Sequence, residues 1–402
     1  MVTHSYYETD NRVMRYASTL AERGDSVDVF SLRRKLGDRD AETLSGVNVF
    51  RIQDRPAKNE RSQLSYLWPV ARFLWTASRK LSRRHRQSHY DLVHVHNVPD
   101  FLVFAAWRAR LSGAKVILDI HDIVPEFYAS KFSAPMGSLA IRSLKWLERI
   151  SASYADHIII ANHLWLDKYT ARSAPAAKVS VFINHVDAKI FQPRPRTRQD
   201  NRLIVMFPGG LQWHQGLDIA IRAFGKVTEA LPTAQLHIYG DGNMKPSLVA
   251  LATDLGLNGQ VQFHDAVPVH TVAALMSDAD LGVVPKRADS FGNEAYSTKI
   301  MEFLSLGVPV VVSNTKIDRF YFDDSVVKFF ESGNETALAE AILVALQDQA
   351  LRSILIRNGF SYVSQNSWET RKHDYLKLVD DLCAGQTPSP GPDTAGSMIS
   401  DR

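Results

Sequence analysis

Glu294 and Glu302 stand eight positions apart in the stretch Asp289 to Asn314, DSFGNEAYSTKIMEFLSLGVPVVVSN. Between them, Ser297 and Thr298 are good helix N-cap types, and a short helix signal starts there and stops at Gly307. A helix N-terminus carries unpaired N–H groups and a partial positive charge, so it suits a diphosphate. Lys299 adds a full cation at the end of a helix where acids are usually preferred, which makes more sense if an anion binds. Glu302, one turn in, is placed to accept two charge-assisted hydrogen bonds from a ribose diol. Taken singly, the same residues also fit a surface loop acid, a solvated helix glutamate and a lysine pointing to water. A second set lies in Asp119-Ile120-His121-Asp122-Ile123-Val124-Pro125-Glu126, where His121 follows a buried strand and is a plausible proton handler. A histidine that caps a loop is the alternative.

The elements that must hold these groups read as two alternating series. Val27–Leu32, Val47–Ile52, Leu92–His96, Val116–Ile120, His157–Ala161 and Val179–Ile183 are strand-like, with helices expected at 101–111 and 139–152. The segment 192–202, QPRPRTRQDNR, has two prolines, four arginines and no apolar residue, and reads as a linker. Strands then return at 203–207, 235–239, 261–264, 281–284 and 308–312, with helices at 217–230, 270–277, 337–346, 350–358 and 368–382. Strands alternating with helices imply a parallel sheet with right-handed crossovers. The expected class is α/β, two Rossmann-like doubly wound domains facing a central cleft, into which the strand C-termini point. The expected domains are 1–190 and 203–367, joined by 191–202, with 368–382 packing back on the first and 385–402 disordered. Only Val2 and Thr3 precede His4 as first-strand residues, so that strand is expected to be stunted or to begin upstream.

At 402 residues the chain exceeds one ordinary core. The single cysteine, Cys383, excludes an internal disulfide framework and fits a reducing cytoplasm. No apolar run approaches the roughly 20 residues of a membrane span, and charged residues in 4–16 argue against a secretory signal. Residues 1–190 carry 28 Lys+Arg against 19 Asp+Glu, and residues 191–402 carry 19 against 24. The basic half favours an anionic partner, or simply reflects unequal solvation. Tyr66 to Arg86 mixes four aromatics with six Arg/Lys. It resembles a membrane-surface helix, and a core-packed helix with a solvated basic face is the equal alternative.

The Glu294–Glu302 segment with Gly307-Val308-Pro309-Val310-Val311 resembles the donor-binding signature of family-4 retaining glycosyltransferases of the GT-B fold. The resemblance runs from about residue 4 to 382. It implies that Glu294 faces the donor sugar's hydroxyls, that Glu302 and the helix start at Ser297, Thr298 and Lys299 hold the nucleotide, and that His121 lies beside the reaction centre. The glycines of Phe207 to Phe224, Gly209 and Gly210, match the family's diphosphate loop, and Gly240-Asp241-Gly242 matches a loop that approaches the base, although a β-turn explains it equally. Asn184-His185-Val186-Asp187 resembles the interdomain hinge. The family commonly places an arginine and a lysine where this chain has Gly210 and Gln215, so Lys299 or Arg287 would supply replacement charge. Tyr6 to Arg15 occupies the place of the family's first glycine-rich loop, where Asn11 and Arg12 offer polar groups and Arg12 a bidentate phosphate contact. Capping of the next helix by Asp10 is the alternative. His96-Asn97 and Asp122 line the expected acceptor side.

The expected activity is transfer of a hexose from a UDP- or GDP-linked sugar to a hydroxyl of a glycan or lipid-linked acceptor. It would proceed with retention, without a metal or bound cofactor, in bacterial surface polysaccharide synthesis. The expected location is cytoplasmic, with 66–86 against an anionic membrane surface and no nucleic-acid partner. A non-catalytic sugar-nucleotide-binding subunit, or a GT-B epimerase or phosphorylase, are the rival readings.

Overall fold

The computed structural model describes residues 1–35, 37–54, 63–132 and 134–388. The expected disordered tail falls almost wholly outside these residues, as does the side chain of Tyr66. The chain divides into two compact units, Met1–Asn184 with Lys372–Arg402, and His185–Arg371.

The first unit runs β1 (Val2–Tyr6), α1 (Asn11–Arg23), β2 (Val27–Arg33), β3 (Ala41–Leu44), β4 (Val47–Asp54), α2 (Gln63–Gln87), β5 (Leu92–His96), α3 (Trp107–Leu111), β6 (Lys115–Ile120), α4 (Val124–Phe132), α5 (Leu139–Tyr154), β7 (His157–Ile160), α6 (Leu164–Arg172) and β8 (Val179–Val181). Its sheet has the order β3-β4-β2-β1-β5-β6-β7-β8, parallel apart from β3. Strands such as Val116–Ile120 and His157–Ile160 are buried along their length, which is why they read as unbroken apolar runs. The first strand is neither stunted nor apolar: β1 is five residues long and central, with His4, Ser5 and Tyr6 extending it. The expected helix at 101–111 is a 3-10 segment, Asp100–Ala106, before α3.

One buried ion pair ties this unit together. Arg12, on α1, donates from Nε and Nη2 to both carboxylate oxygens of Asp119 on β6, each at 2.8 Å. Its Nη1 donates to the Phe182 carbonyl at 2.7 Å and to Asn184 Oδ1 at 3.1 Å. Both side chains are buried. Arg12 is therefore no phosphate ligand: its fork is closed on the protein's own acceptors. Asp10 caps α1, accepting from the Val13 N–H and from Ser5 Oγ.

The second unit runs β9 (Leu203–Pro208), α7 (Leu217–Ala230), β10 (Ala234–Tyr239), α8 (Lys245–Asp254), β11 (Val261–His264), α9 (Val269–Ser277), β12 (Leu281–Val284), α10 (Thr298–Ser305), β13 (Val310–Ser313), α11 (Lys316–Tyr321), β14 (Lys328–Phe330), α12 (Glu335–Gln347) and α13 (Gln349–Asn366). The last helix, α14 (Trp368–Cys383), carries the chain back into the first unit. There the Tyr375 ring lies 4.3 Å from that of Tyr16, and its hydroxyl is 3.1 Å from His94 Nδ1. The second sheet is wholly parallel, β11-β10-β9-β12-β13-β14. Its order reverses at the β9/β12 junction, over a core that includes Val205, Phe207, Phe224 and Leu236.

Removing one partner of a buried, hydrogen-bonded ion pair strands the other in a low-dielectric interior. Arg12→Met should therefore cost roughly 3–5 kcal/mol of stability. Urea unfolding of the purified chain measures this, and a loss below about 1 kcal/mol would show that Asp119 does not depend on Arg12.

Candidate functional site

In an open parallel sheet, ligands bind beyond the strand C-termini where strand order reverses. In the second unit that point lies between β9 and β12, and the loops after both strands meet there. The Arg287 N–H donates to the His214 carbonyl at 2.9 Å. The backbones pack closely as well: at Gly240, φ is +147° and an added Cβ would lie 1.9 Å from the Gly209 carbonyl oxygen. Gly209 itself has φ +138°, and a Cβ there would meet Lys299 Cε at 2.5 Å. The lysine stem thus crosses directly over the glycine, and Nζ rests 5.1 Å from the centre of the Phe207 ring and 3.4 Å from Gln215 Oε1. Gly210 follows, with Gln212 folded against it.

The helix behind this loop starts as its sequence predicts. Ser297 is the residue before α10 and Thr298 its first residue. Ser297 Oγ is buried, caps nothing, and makes no hydrogen bond among the described residues. The N–H groups of the first turn have no partner within a helix. Burial lowers the Lys299 ammonium to about pKa 8; Glu302 opposes the shift and neighbouring Lys286 adds to it. Glu302 lies three residues beyond Lys299 and is half-buried. Gly307 ends the helix region, and the strand that follows begins at Val310, two residues later than expected.

Glu294 is half-buried in a tightly tied loop. Asp289 Oδ1 accepts from the N–H groups of Phe291 and Gly292, and Asn293 Nδ2 donates to the Ala288 carbonyl. Sequence reasoning missed the post beneath this loop. Lys286, fully internal, donates to the Ala295 carbonyl at 2.7 Å and pairs with buried Asp318 at 3.0 Å. Burial lowers its pKa, and Asp318 opposes that shift. A lysine immediately after the apolar run Leu281–Pro285 was the available signal; Asp318 had none. Arg287 does not stand open to an anion. Its guanidinium stacks 3.7 Å from the centre of the Trp213 ring and donates to Asp218 Oδ2 and to the Trp213 carbonyl. Of the two expected replacement cations, only Lys299 sits over the glycine loop.

In the first unit the corresponding reversal lies between β1 and β5. Asn97 is not turned outward: Nδ2 donates to Asp100 Oδ1 and to the Asp122 carbonyl, both at 2.8 Å, and Oδ1 accepts from the His121 N–H at 2.7 Å. It builds the His121–Asp122 turn instead of lining an acceptor surface. His121 stays partly exposed, with Nε2 3.3 Å from Asp119 Oδ2 and 3.2 Å from His96 Nδ1. Asp122 is half-buried, and desolvation pushes its carboxyl up to about 6 against the pull of His121. Asn11 is half-buried at the first position of α1.

Sequence reasoning also missed that His94, His96 and Asp119 place ligand-type atoms within 4.8 Å of one another, a grouping able to hold a metal ion. Its charge is balanced from within by Arg12. Burial lowers the pKa values of both histidines; it works to raise that of Asp119, but Arg12, His121 and His96 together overcome it and hold the carboxyl well below its ordinary range.

Two family models match. The Glycosyl transferase 4-like domain covers residues 9–185 and Glycosyl transferases group 1 covers residues 189–362. The chain is 26% identical over 367 residues to a D-inositol 3-phosphate glycosyltransferase of Thermomonospora curvata, covering 85% of this chain and 82% of that one. In fold it is similar to sucrose-phosphate synthase of Thermosynechococcus elongatus (TM-score 0.77, 19% identity, 96% of this chain and 99% of that one). It is also similar to Anabaena HepE in complex with UDP and glucose (TM-score 0.70, 16% identity, 95% and 99%). With two Rossmann-like units, each coinciding with one of these matches, the chain belongs to the group 1 glycosyltransferases of the GT-B fold.

Proposed function

We propose that this glycosyltransferase moves a hexose from a nucleoside-diphosphate sugar, UDP- or GDP-linked, to a hydroxyl of a glycan or lipid-linked acceptor, with retention of configuration. The observation that carries the reading is the start of α10. An unpartnered serine hydroxyl and a cation come together at a helix start, the cation lying across a glycine loop, with a carboxylate one turn on. A diphosphate answers the first two, and a ribose diol answers Glu302.

In this reading Ser297, Thr298 and Lys299 hold the diphosphate, Gly209 and Gly210 let the backbone approach it, and Glu294 binds the sugar's hydroxyls. His121 serves the reacting sugar as a hydrogen-bond or proton partner, and Asn11 and Asp122 serve the acceptor. In the reaction the anomeric carbon's bond to the diphosphate oxygen breaks, a bond to the acceptor oxygen forms on the same face, and the acceptor's proton passes to the departing phosphate. Lys299 and the α10 N–H groups stabilise the charge that develops there, the role a divalent ion plays in other transferases. The non-catalytic alternative rests on Gly210 and Gln215. Lys299 Nζ beside Gln215 Oε1 speaks against it, because it restores a cation next to the altered position. Synthesis of bacterial surface polysaccharide, at the cytoplasmic side, is the setting we propose.

Glu302→Gln keeps the shape of the side chain and removes its charge. Each charge-assisted hydrogen bond contributes about 1.5–3 kcal/mol, so donor affinity should fall roughly ten- to a hundredfold. Calorimetric titration with the nucleotide sugar selected from a UDP, GDP and ADP panel reads this, and wild-type affinity would remove the ribose assignment.

Donor affinity should also depend on pH. A bound diphosphate favours the ammonium form, so the Lys299 pKa rises in the complex above its free value of about 8. Affinity is then flat below that value and declines as pH rises through it, by up to about tenfold per pH unit until the complex's own pKa is reached. Lys299→Met should bind more weakly at neutral pH and lose the slope. A wild-type profile that stays flat into the alkaline range would place Lys299 away from the anion.

A further inference from the structure

The first sheet is crossed in two directions. β1 to β2 steps one way, whereas β4 to β5, β5 to β6 and β6 to β7 step the other way. With right-handed crossovers, α2, α3 and α5 therefore lie together on the face opposite α1. The packing agrees. Both α2 and α5 pack on the 3-10 segment Asp100–Ala106, Trp107 Nε1 donates to Ser78 Oγ at 2.9 Å, and Arg110 lies over the Tyr154 ring at 4.5 Å.

The outer surface of this layer is unusual in two ways. Trp68, Trp75, Trp107 and Trp146 are 74%, 62%, 47% and 63% exposed, so four of the chain's seven tryptophans point outward from one layer of one unit. Leu111 on α3 and Leu139 on α5 are 80% and 78% exposed. Isolated exposed apolar residues are ordinary, but a field of indoles and leucines is not. The second feature is charge. The three helices carry eleven Lys and Arg against one acid, Glu148, which is buried and paired with Arg172. Nothing acidic on them faces outward.

The two kinds of residue alternate at helical spacing. On α2 the exposed series is Trp68, Arg72, Trp75, Arg79, and on α5 it is Leu139, Arg142, Trp146, Arg149. Arg79 lies over the Trp75 ring, 4.7 Å from its centre, which brings the cation down to the level of the indole. Arginine stems can lie along apolar surface while their heads reach anionic headgroups, and indoles settle at the boundary between headgroup and acyl chain. Nucleic acid also attracts cations and stacks on aromatics, but it offers nothing to exposed leucines.

We propose that this α2–α3–α5 face docks on an anionic phospholipid bilayer, with the tryptophans and leucines seated in the interface and the arginines on lipid phosphates. The helix at 66–86 is then one strip of a three-helix surface. The proposal uses none of the donor chemistry, so it stands or falls independently of the transferase reading.

Flotation of the full chain with vesicles tests it. Phosphatidylcholine vesicles containing about a third phosphatidylglycerol should carry the protein up, and pure phosphatidylcholine vesicles should carry far less. Trp75→Ser with Trp146→Ser, and separately Arg79→Glu with Arg142→Glu, should each weaken binding roughly tenfold or more. All four side chains are largely exposed, so melting temperatures should match wild type. Bromine-labelled lipid should quench the indole emission of the bound wild-type protein. The proposal is overturned if the chain stays unbound at low salt, or if the variants float like wild type. It is also overturned if single-stranded nucleic acid binds this face in preference to vesicles, or if a dimer lost in the tryptophan variant shows that a second copy covers it.

Discussion

A lysine ammonium at the positive end of a helix is the constraint on which the candidate site of the second unit depends. Lys299 stands at the second position of α10, where the backbone's partial charge already has its own sign. Burial and the nearby Lys286 add to the cost, and Glu302 offsets part of it. Ser297 leaves a hydroxyl unused at the same place. Proteins rarely leave buried polar groups without partners, and an unused hydroxyl beside a cation at one helix start is what the proposed diphosphate answers. In the proposed reading the diphosphate sits at this helix start and the ribose diol at Glu302, one turn away.

The first unit resolves its charges internally. Arg12 and Asp119 satisfy each other, Asn97 satisfies the turn that presents His121, and Asp10 caps its helix. What remains for outside chemistry is small: a partly exposed imidazole and a carboxyl that burial has brought to about 6. Asp119 connects the two roles, since the carboxylate that anchors Arg12 also lies 3.3 Å from His121 Nε2. The residue that pins α1 to β6 therefore also fixes how the exposed histidine is oriented.

Much of this was legible from the chain because it depends on local pattern. Buried parallel strands stand out between turn residues, so β5 and β12 were placed to the residue. The start of α10 was legible in the same way, from Ser297 and Thr298 ahead of the helix pattern. What escaped depends on partners distant in sequence. Arg12 looks the same on paper whether it faces phosphate or Asp119, 107 positions away. Asn97 and Arg287 are similar cases: polar residues after buried strands, whose side chains turn back to secure a neighbouring loop. The strand β3 was missed because AETL forms an edge with no buried run, and β1 was doubted because His4, Ser5 and Tyr6 extend it without apolar character.

The departure from the family pattern at Gly210 and Gln215 has a structural counterpart. Relatives of this kind commonly draw two cations from the glycine loop and the turn after it. Here that turn holds Gln215, and its side-chain oxygen meets the ammonium of Lys299, which arrives from α10 with its stem laid across Gly209. A side chain at Gly209 would occupy the space the stem uses, so the glycine and the lysine are complementary. Arg287 could have taken the same role by its position after β12, but Asp218 in the first turn of α7 and the Trp213 ring hold it. An electrostatic requirement fixes where a positive charge must be and leaves open which element supplies it. In the proposed reading, that freedom lets Lys299 supply from α10 the charge that Gly210 and Gln215 do not.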